Sequence, residues 1–261
     1  MRLAVCGDSW FTSDWTAPGK SFGEIICFRN NWELLSLARG GCSNFTISLQ
    51  VDKAIELNSD FVILGTTTPD RCEFPLIDDE RKSIWDNLKN KFNYDNWDEI
   101  QPETYDKSRG ISNIWHNRSN LSKKHKWIDN PTIISESLSS LIFGSSSRLT
   151  KDQLKALKEY LLNLYDDSIK RQVDTWIISD ACRRLEYANI PYVIFVTPLY
   201  EKSKDFLKDI SWVGDKKIIK EDDFSFRNYG EIDDTPFHYS IKSASLIADY
   251  FELRIKNLGE K

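Results

Sequence analysis

The sequence predicts an α/β fold with a mostly parallel sheet of about five strands. The main observation is that short apolar runs alternate with helical patterns from the first residues to Leu64, which implies right-handed crossovers between parallel strands. The second observation is the length of 261 residues, which suits one large domain that carries an insertion. The third is the composition, because 40% hydrophobic and 29% charged residues are typical of a globular protein. We therefore expect a single domain over residues 1–261.

The first part of the chain supplies three strands and two helices. Residues 60–64 are almost wholly apolar, as expected of a central strand that is covered on both faces. Ser43 or Asn44 can cap the second helix, whose apolar residues are spaced to bury one face. The predicted elements are strands over 2–6, 32–37 and 60–64, and helices over 21–28 and from 44 to about 57.

The segment 75–148 interrupts this pattern. It is polar and lacks sustained apolar periodicity, but it contains too many aromatic residues to be plain disorder. We predict a helical or irregular cap over the carboxyl edge of the sheet rather than a separate domain. Its tryptophans either pack on the main domain or line a carbohydrate-binding cleft. These tryptophans are Trp85, Trp97, Trp115 and Trp127.

The last part of the chain returns to regular patterns. Thr150 can cap a long helical stretch with a bend, whose apolar stripe includes Val173 and Trp176 and extends to Leu185. The other predicted elements are a fourth strand over 192–196, a short strand over 217–219 and a last helix from about 240 to 257.

The charge and the cysteines narrow the class of partner. A net charge of −5 argues against a nucleic-acid binder, and no apolar run is long enough to span a bilayer. The first strand starts at Arg2, so we expect no signal peptide and a cytoplasmic location. The five cysteines are odd in number and show no Cys-x-x-Cys pair. We therefore expect reduced thiols and no metal or other cofactor.

A serine and a histidine carry the strongest functional signal. Ser9 follows Gly7 and Asp8 just past the first strand, where a nucleophile can be exposed at the edge of a sheet. The chain has three histidines, and one of them, His238, lies just before the last helix. A serine nucleophile needs a base, and histidine is the usual one near neutral pH. Gly41 follows the second strand, so it can meet Ser9 at the edge where parallel sheets bind their ligands.

These motifs resemble four sequence blocks of the SGNH hydrolases, which are also called the GDSL family. The first block resembles Gly7-Asp8-Ser9, and the second block resembles the glycine at Gly41. The third block, Gly-x-Asn-Asp, is similar to residues 65–68, and the fifth block, Asp-x-x-His, is similar to residues 234–238. The resemblance covers residues 1–73 and 174–256.

The resemblance implies a flavodoxin-like three-layer sandwich and a catalytic triad that cleaves esters. Ser9 would be the nucleophile, His238 the general base, and Asp234 the residue that orients the imidazole. Asp234 lies four residues before His238, whereas the family spacing is three. A Ser-His dyad therefore stays open as an alternative to the triad.

The resemblance also implies an oxyanion hole, which is the set of hydrogen-bond donors that hold the negative oxygen of the intermediate. The backbone N–H groups of Ser9 and Gly41 are the first candidates. Thr67 stands where the family has the asparagine that completes the hole, and Asn44 is a candidate to replace that asparagine.

The residues and the resemblance together predict a serine hydrolase that cleaves a small-molecule or carbohydrate ester through an acyl-enzyme on Ser9. A carbohydrate O-acyl ester is one candidate substrate. Two alternatives stay open: an O-acyltransferase that uses the same acyl-enzyme, and a non-catalytic binding or assembly module on the same scaffold. The presence of both Ser9 and His238 favours the enzyme, whereas the replacement of the third-block asparagine by Thr67 favours the module.

Overall fold

The computed structural model describes residues 1–12, 19–38, 42–69, 71–75, 133–137, 151–196, 210–214, 217–219 and 241–259. The strands within these ranges are β1 (Arg2–Cys6), β2 (Glu33–Ser36), β3 (Phe61–Gly65), β4 (Arg71–Pro75), β5 (Ile133–Ser137), β6 (Tyr192–Phe195) and β7 (Ile218–Ile219). Five of them form one parallel sheet in the order β2-β1-β3-β6-β7. This confirms the predicted α/β fold with a flavodoxin-like arrangement of strands.

Three helices of the described ranges begin at polar caps that the sequence offers. The Ser21 side chain accepts from the Glu24 N–H while the Glu24 side chain accepts from the Ser21 N–H, which forms a capping box. Ser43 caps the second helix and Asp166 caps the fourth. None of the helices in these ranges is long and apolar enough to cross a membrane. They are α1 (Phe22–Asn30), α2 (Asn44–Glu56), α3 (Lys151–Asn163), α4 (Asp167–Tyr187) and α5 (Ile241–Gly259).

The sheet separates two apolar cores, because successive side chains of a strand point to opposite faces. In β1, Ala4 and Cys6 belong to the core beneath α2 and α4, whereas Leu3 and Val5 belong to the core beneath α1 and α5. All four side chains are buried. The two cores complete the three-layer sandwich of helices, sheet and helices.

Aromatic packing and ion pairs join α1 to α5. The rings of Phe22 and Phe251 are fully buried and stack with their centroids 5.1 Å apart. Full burial of such a side chain stabilises a fold by about 1.5–3 kcal/mol. At the other end of α1, Arg29 pairs with Asp249, and Asn30 Nδ2 donates to Glu252 Oε1 over 3.0 Å. The two ends of the short helix α1 are therefore held against the middle of α5.

The buried face of α4 differs from the predicted apolar stripe. Val173 and Trp176 were expected to be buried, but the Trp176 side chain is 63% exposed and Val173 is also exposed. The helix instead turns polar residues such as Asp174 and Thr175 inward together with its small and aliphatic ones. The prediction was wrong because it followed hydrophobicity alone, whereas this face packs closely against α2, where small and polar side chains fit.

A second, two-stranded sheet pairs β4, which ends at the first residue of the predicted cap, with β5, which lies in the last part of the cap. β4 and β5 pair antiparallel, with Arg71 opposite Ser137 and Pro75 opposite Ile133. The sequence prediction had placed helices and loops over 133–137, so this strand is an addition to it. The four cap tryptophans lie outside the described residues.

The ring of Phe11 fills the space above two glycines at the carboxyl ends of the central strands. A Cβ on Gly7 would lie 2.6 Å from Phe11 Cδ2, and a Cβ on Gly65 would lie 2.1 Å from Phe11 Cε2. Both distances are far below van der Waals contact, so the ring needs glycine at each position. The ring also packs against Phe22 and Phe195, with centroids 5.9 Å and 6.0 Å apart. Phe11 thereby fixes the turn that follows β1 to the ends of β1 and β3.

We expect Gly65→Ala to lower the free energy of unfolding by about 1–3 kcal/mol, because the added methyl group overlaps the Phe11 ring. Urea unfolding measures this loss. In the double variant with Phe11→Leu, which removes the overlapping ring atoms, the combined loss should be smaller than the sum of the two single losses. Strictly additive losses would show that the ring and the glycine do not depend on each other.

We expect the stabilising effect of the Asp166 cap to disappear in acid. Hydrogen bonds from the Ser168 side chain and then from the Ile169 and Ser168 N–H groups lower the pKa of Asp166. A carboxylate with a lowered folded-state pKa stabilises the fold above its unfolded value of about 4, and this effect is lost as the pH falls through the folded value. The melting temperature of Asp166→Ala should therefore be lower than that of the original protein at pH 7 and equal to it in strong acid. Asp166→Asn keeps the capping oxygen, so a loss as large as that of alanine would contradict the capping role.

Candidate active site

The carboxyl ends of β1 and β3 flank the point at which the order of strands reverses. From β1 the chain continues outward to β2, whereas β6 lies on the far side of β3. Crevices at such switch points are where open α/β sheets bind ligands. Residues 7–12 and 66–69 follow the two strands at this point, so the candidate site is built from these two loops.

Ser9 lies in the turn that leaves β1. The turn closes with a hydrogen bond of 3.0 Å from the Phe11 N–H to the Asp8 carbonyl. The Thr12 hydroxyl donates to the Ser9 carbonyl over 3.0 Å. Ser9 is half-buried, whereas its neighbours Gly7 and Asp8 are buried. The serine therefore stands on a turn that is fixed on both sides, at the predicted edge of the sheet.

A glutamine of α2 holds the backbone just before this turn. The Gly7 N–H donates to Gln50 Oε1 over 2.7 Å, and Gln50 Nε2 donates to the Gly7 carbonyl over 3.2 Å. The Cys42 thiol donates to the same carbonyl over 3.2 Å. The amide of Gln50 thus satisfies both backbone groups of Gly7 where the strand ladder has ended.

The buried cysteines of the described ranges are poor nucleophiles. Burial, with a smaller effect of neighbouring Cys42, raises the pKa of the Cys6 thiol above its ordinary value. Burial also raises the pKa of Cys27 to about 12 and that of Cys182 to about 12. The thiolate is the reactive form of cysteine, so these three side chains stay inert thiols at neutral pH.

The carboxylate of Asp8 connects the two loops of the site. Its Oδ1 accepts from the Trp10 N–H over 3.0 Å, and its Oδ2 accepts from the Thr67 hydroxyl over 2.7 Å. Arg71 Nη2 lies 3.7 Å from the same Oδ2. Asp8 is 3% exposed, so these interactions are shielded from water. The residue before the serine therefore fixes its turn to the loop that follows β3.

Asn44 holds the loop that follows β3 in the same manner as Gln50 holds Gly7. Its Oδ1 accepts from the Thr67 N–H over 2.9 Å, and its Nδ2 donates to the Thr67 carbonyl over 3.0 Å. Nδ2 also donates to Asp174 Oδ2 on α4 over 3.1 Å. The second carboxylate oxygen of Asp174 pairs with Lys170. Asn44, Thr67 and Asp174 are all buried.

The structure brings together three of the predicted site residues. Ser9, Thr67 and Asn44 converge through Asp8, whereas Gly41, Asp234 and His238 lie outside the described residues. The Thr67 hydroxyl proton points to Asp8, and Asn44 Nδ2 is bonded to Thr67 and Asp174. An oxyanion role for either side chain would require it to leave these bonds, so both roles stay predictions.

Sequence reasoning missed Asp174, which lies on α4 and contacts the site through Asn44. The signal was present, because positions 174, 178, 181 and 185 have the spacing of one buried helical face. An acidic residue on such a face requires a polar partner. Asn44 could not be recognised as that partner, because it is 130 residues away in the sequence.

Neither a metal site within the described ranges nor a similar known protein gives further information about this site. Within the described ranges no cluster of three or more His, Cys, Asp or Glu side chains could hold a metal ion. What the structure establishes is the class of fold, an α/β protein with a five-stranded parallel sheet. No protein-family model, no curated protein and no solved structure matches the chain.

We expect Asn44→Ala to destabilise the protein by about 1–3 kcal/mol, because it removes the acceptor of the buried Thr67 N–H and one donor to the buried Asp174 carboxylate. Thermal and urea unfolding report this change. Phe45→Ala is the matched control, since Phe45 is the next residue of the same helix and its side chain is exposed. The control keeps every hydrogen bond of Asn44, so it should destabilise the protein less than Asn44→Ala does. Equal effects of the two variants would contradict the role given to Asn44.

Proposed function

We propose that this protein is a serine hydrolase of the SGNH or GDSL type, which cleaves an ester through an acyl-enzyme on Ser9. The observation that carries the proposal is the position of Ser9. It is half-buried on a braced turn at the switch point of a parallel sheet, where Asp8 and Thr67 join the loops of β1 and β3. A nucleophile needs such a fixed position, because small displacements from the attack geometry reduce the rate strongly.

In the proposed reaction, Ser9 Oγ attacks the carbonyl carbon of the ester while His238 takes up the hydroxyl proton. The carbonyl oxygen becomes an oxyanion, held by the backbone N–H groups of Ser9 and Gly41. The intermediate collapses, the bond to the alkoxy oxygen breaks, and His238 gives its proton to the leaving alcohol. Water then attacks the acyl-serine by the same steps, releasing the acid and restoring Ser9. Asp234 orients the imidazole in this scheme.

The second part of the proposal concerns the substrate, the partners and the location of the protein. The cap over 75–148 is proposed to cover the carboxyl edge and to select the ester, with a carbohydrate O-acyl ester as one candidate. No nucleic acid is proposed as a partner, because the net charge is −5. We also propose a cytoplasmic location, which is supported by Cys6, Cys27 and Cys182, since these buried cysteines form no disulfide within the described residues.

Ser9 and His238 are expected to act as a unit. Ser9→Ala and His238→Ala should each lower ester hydrolysis by on the order of 10³-fold or more, and the double variant should be little worse than either. A fluorophosphonate probe should label the original protein at Ser9 and should not label Ser9→Ala. Activity should fall as the pH is lowered through the range in which an imidazole takes up a proton. Additive losses, or a rate that is flat from pH 5 to pH 7, would contradict this mechanism.

The second candidate is a binding module that keeps the scaffold without catalysis. It is favoured by the inward hydrogen bonds of Thr67 and Asn44, the two side chains predicted to complete the oxyanion hole. The two candidates differ in the probe experiment. A folded protein that Ser9-directed fluorophosphonate does not label, but that binds acetylated sugars in calorimetry, would be the module.

A further inference from the structure

A chain of buried polar side chains links the turn of Ser9 to α4 on one face of the sheet. From the turn inward, Asp8 accepts from the Thr67 hydroxyl, Thr67 is held through its backbone by Asn44, and Asn44 donates to Asp174. Each of these four side chains belongs to a residue that is at most 3% exposed. The donor–acceptor distances along this series lie between 2.7 and 3.1 Å. Each bond therefore has good hydrogen-bond geometry, and water is excluded from the series.

Burying the carboxylate of Asp174, at the inner end of this series of side chains, destabilises the fold unless it is compensated. Asp174 is 1% exposed, and it lies on the helical face that also buries Ile178, Ala181 and Leu185. A buried carboxylate is tolerated only where cations and hydrogen-bond donors compensate the loss of water. Lys170 and Asn44 provide this compensation. Well-packed apolar residues in place of the whole Asp174–Lys170 pair would often be equally stable, so the pair is better explained by what Asp174 orients.

We propose that Asp174 is a positioning residue for the nucleophile Ser9. Asp174 fixes the rotamer of Asn44, Asn44 fixes the loop at Thr67, and the Thr67 hydroxyl fixes Asp8 and hence the turn that carries Ser9. This inference rests on the proposed hydrolase function. It adds a residue on α4 that touches no substrate and that sets the geometry of attack.

The enzymatic test compares three variants of two acidic residues. Asp174→Ala removes one acceptor of Asn44 and the ion pair with Lys170, whereas Asp174→Asn loses the charge but keeps an oxygen for Asn44. Asp52→Ala is the matched control, because the ion pair of Asp52 with Arg184 also joins α2 to α4 but has no part in the chain. Asp174→Ala should lower kcat about 10- to 100-fold with KM nearly unchanged, since a misplaced nucleophile affects the reaction step. Asp174→Asn should keep kcat within about threefold, and Asp52→Ala should keep the original kcat.

A second measurement tests the positioning without any catalysis. The Thr67 N–H donates to Asn44, and the Trp10 N–H donates to Asp8. Hydrogen exchange of these two amides should become about tenfold faster in Asp174→Ala than in Asp52→Ala, because local opening at the two loops becomes easier. The melting temperatures of both variants are recorded as well. A general loss of stability would accelerate exchange of the amides in β6 as much as exchange of the Thr67 and Trp10 amides.

The outcomes separate this inference from the proposed function. Slow catalysis and fast exchange in Asp174→Ala alone support it. An original rate of fluorophosphonate labelling in Asp174→Ala, or unchanged exchange at Thr67 and Trp10, overturns it even if the protein is a hydrolase. An original protein that neither labels nor cleaves esters overturns the proposed function. The role of Asp174 for the catalytic turn then falls with it, whereas the exchange result still decides whether the chain orders the two loops.

Discussion

The hydrogen bond between the Thr67 hydroxyl and the Asp8 carboxylate is the interaction on which the candidate site depends. The two residues follow β1 and β3, and the loops after neighbouring strands diverge in a twisted parallel sheet because the backbone ladder has ended. This bond of 2.7 Å, shielded from water, joins the loops at the point where the order of strands reverses. Arg71, the first residue of β4, lies 3.7 Å from the same carboxylate, so the connection also reaches β4.

Side chains of helix α2 also hold the loops at this edge of the sheet. Two of its side chains are primary amides, Gln50 and Asn44, and each bonds both the N–H and the carbonyl of one loop residue. An amide has the donor and the acceptor that an adjacent strand would offer, so it replaces the missing strand partner. Gly7 and Thr67 are held in this way. Pairing by side chains lets the loops turn away from the sheet without leaving buried backbone groups unsatisfied.

The fold was predictable because it depends on local patterns. The apolar run at Phe61–Gly65 and the cap at Ser43 each follow from a few neighbouring residues, and the structure confirms both. The position of Ser9 at the sheet edge was also predictable, since it follows from the end of β1. The contacts of Asn44 were not predictable, because they depend on the distance between α2, α4 and the loop after β3. The prediction that Trp176 is buried was wrong for a similar reason. Hydrophobicity alone does not show which face of a helix packs against its neighbours.

The packing of Phe11 couples the residues that are acceptable at positions 7, 11 and 65, which form one unit in this sense. Its ring occupies the space that side chains at positions 7 and 65 would need, so replacing either glycine destabilises the protein while the ring stays. In evolution a smaller residue at position 11 would lower the cost of alanine at position 65 if it arose first. Such ordered steps are slow, and they constrain the scaffold beneath Ser9 but not the residues around it. Under the proposed hydrolase function, new substrate preferences would therefore arise from residues outside this unit, while the packing beneath Ser9 stays fixed.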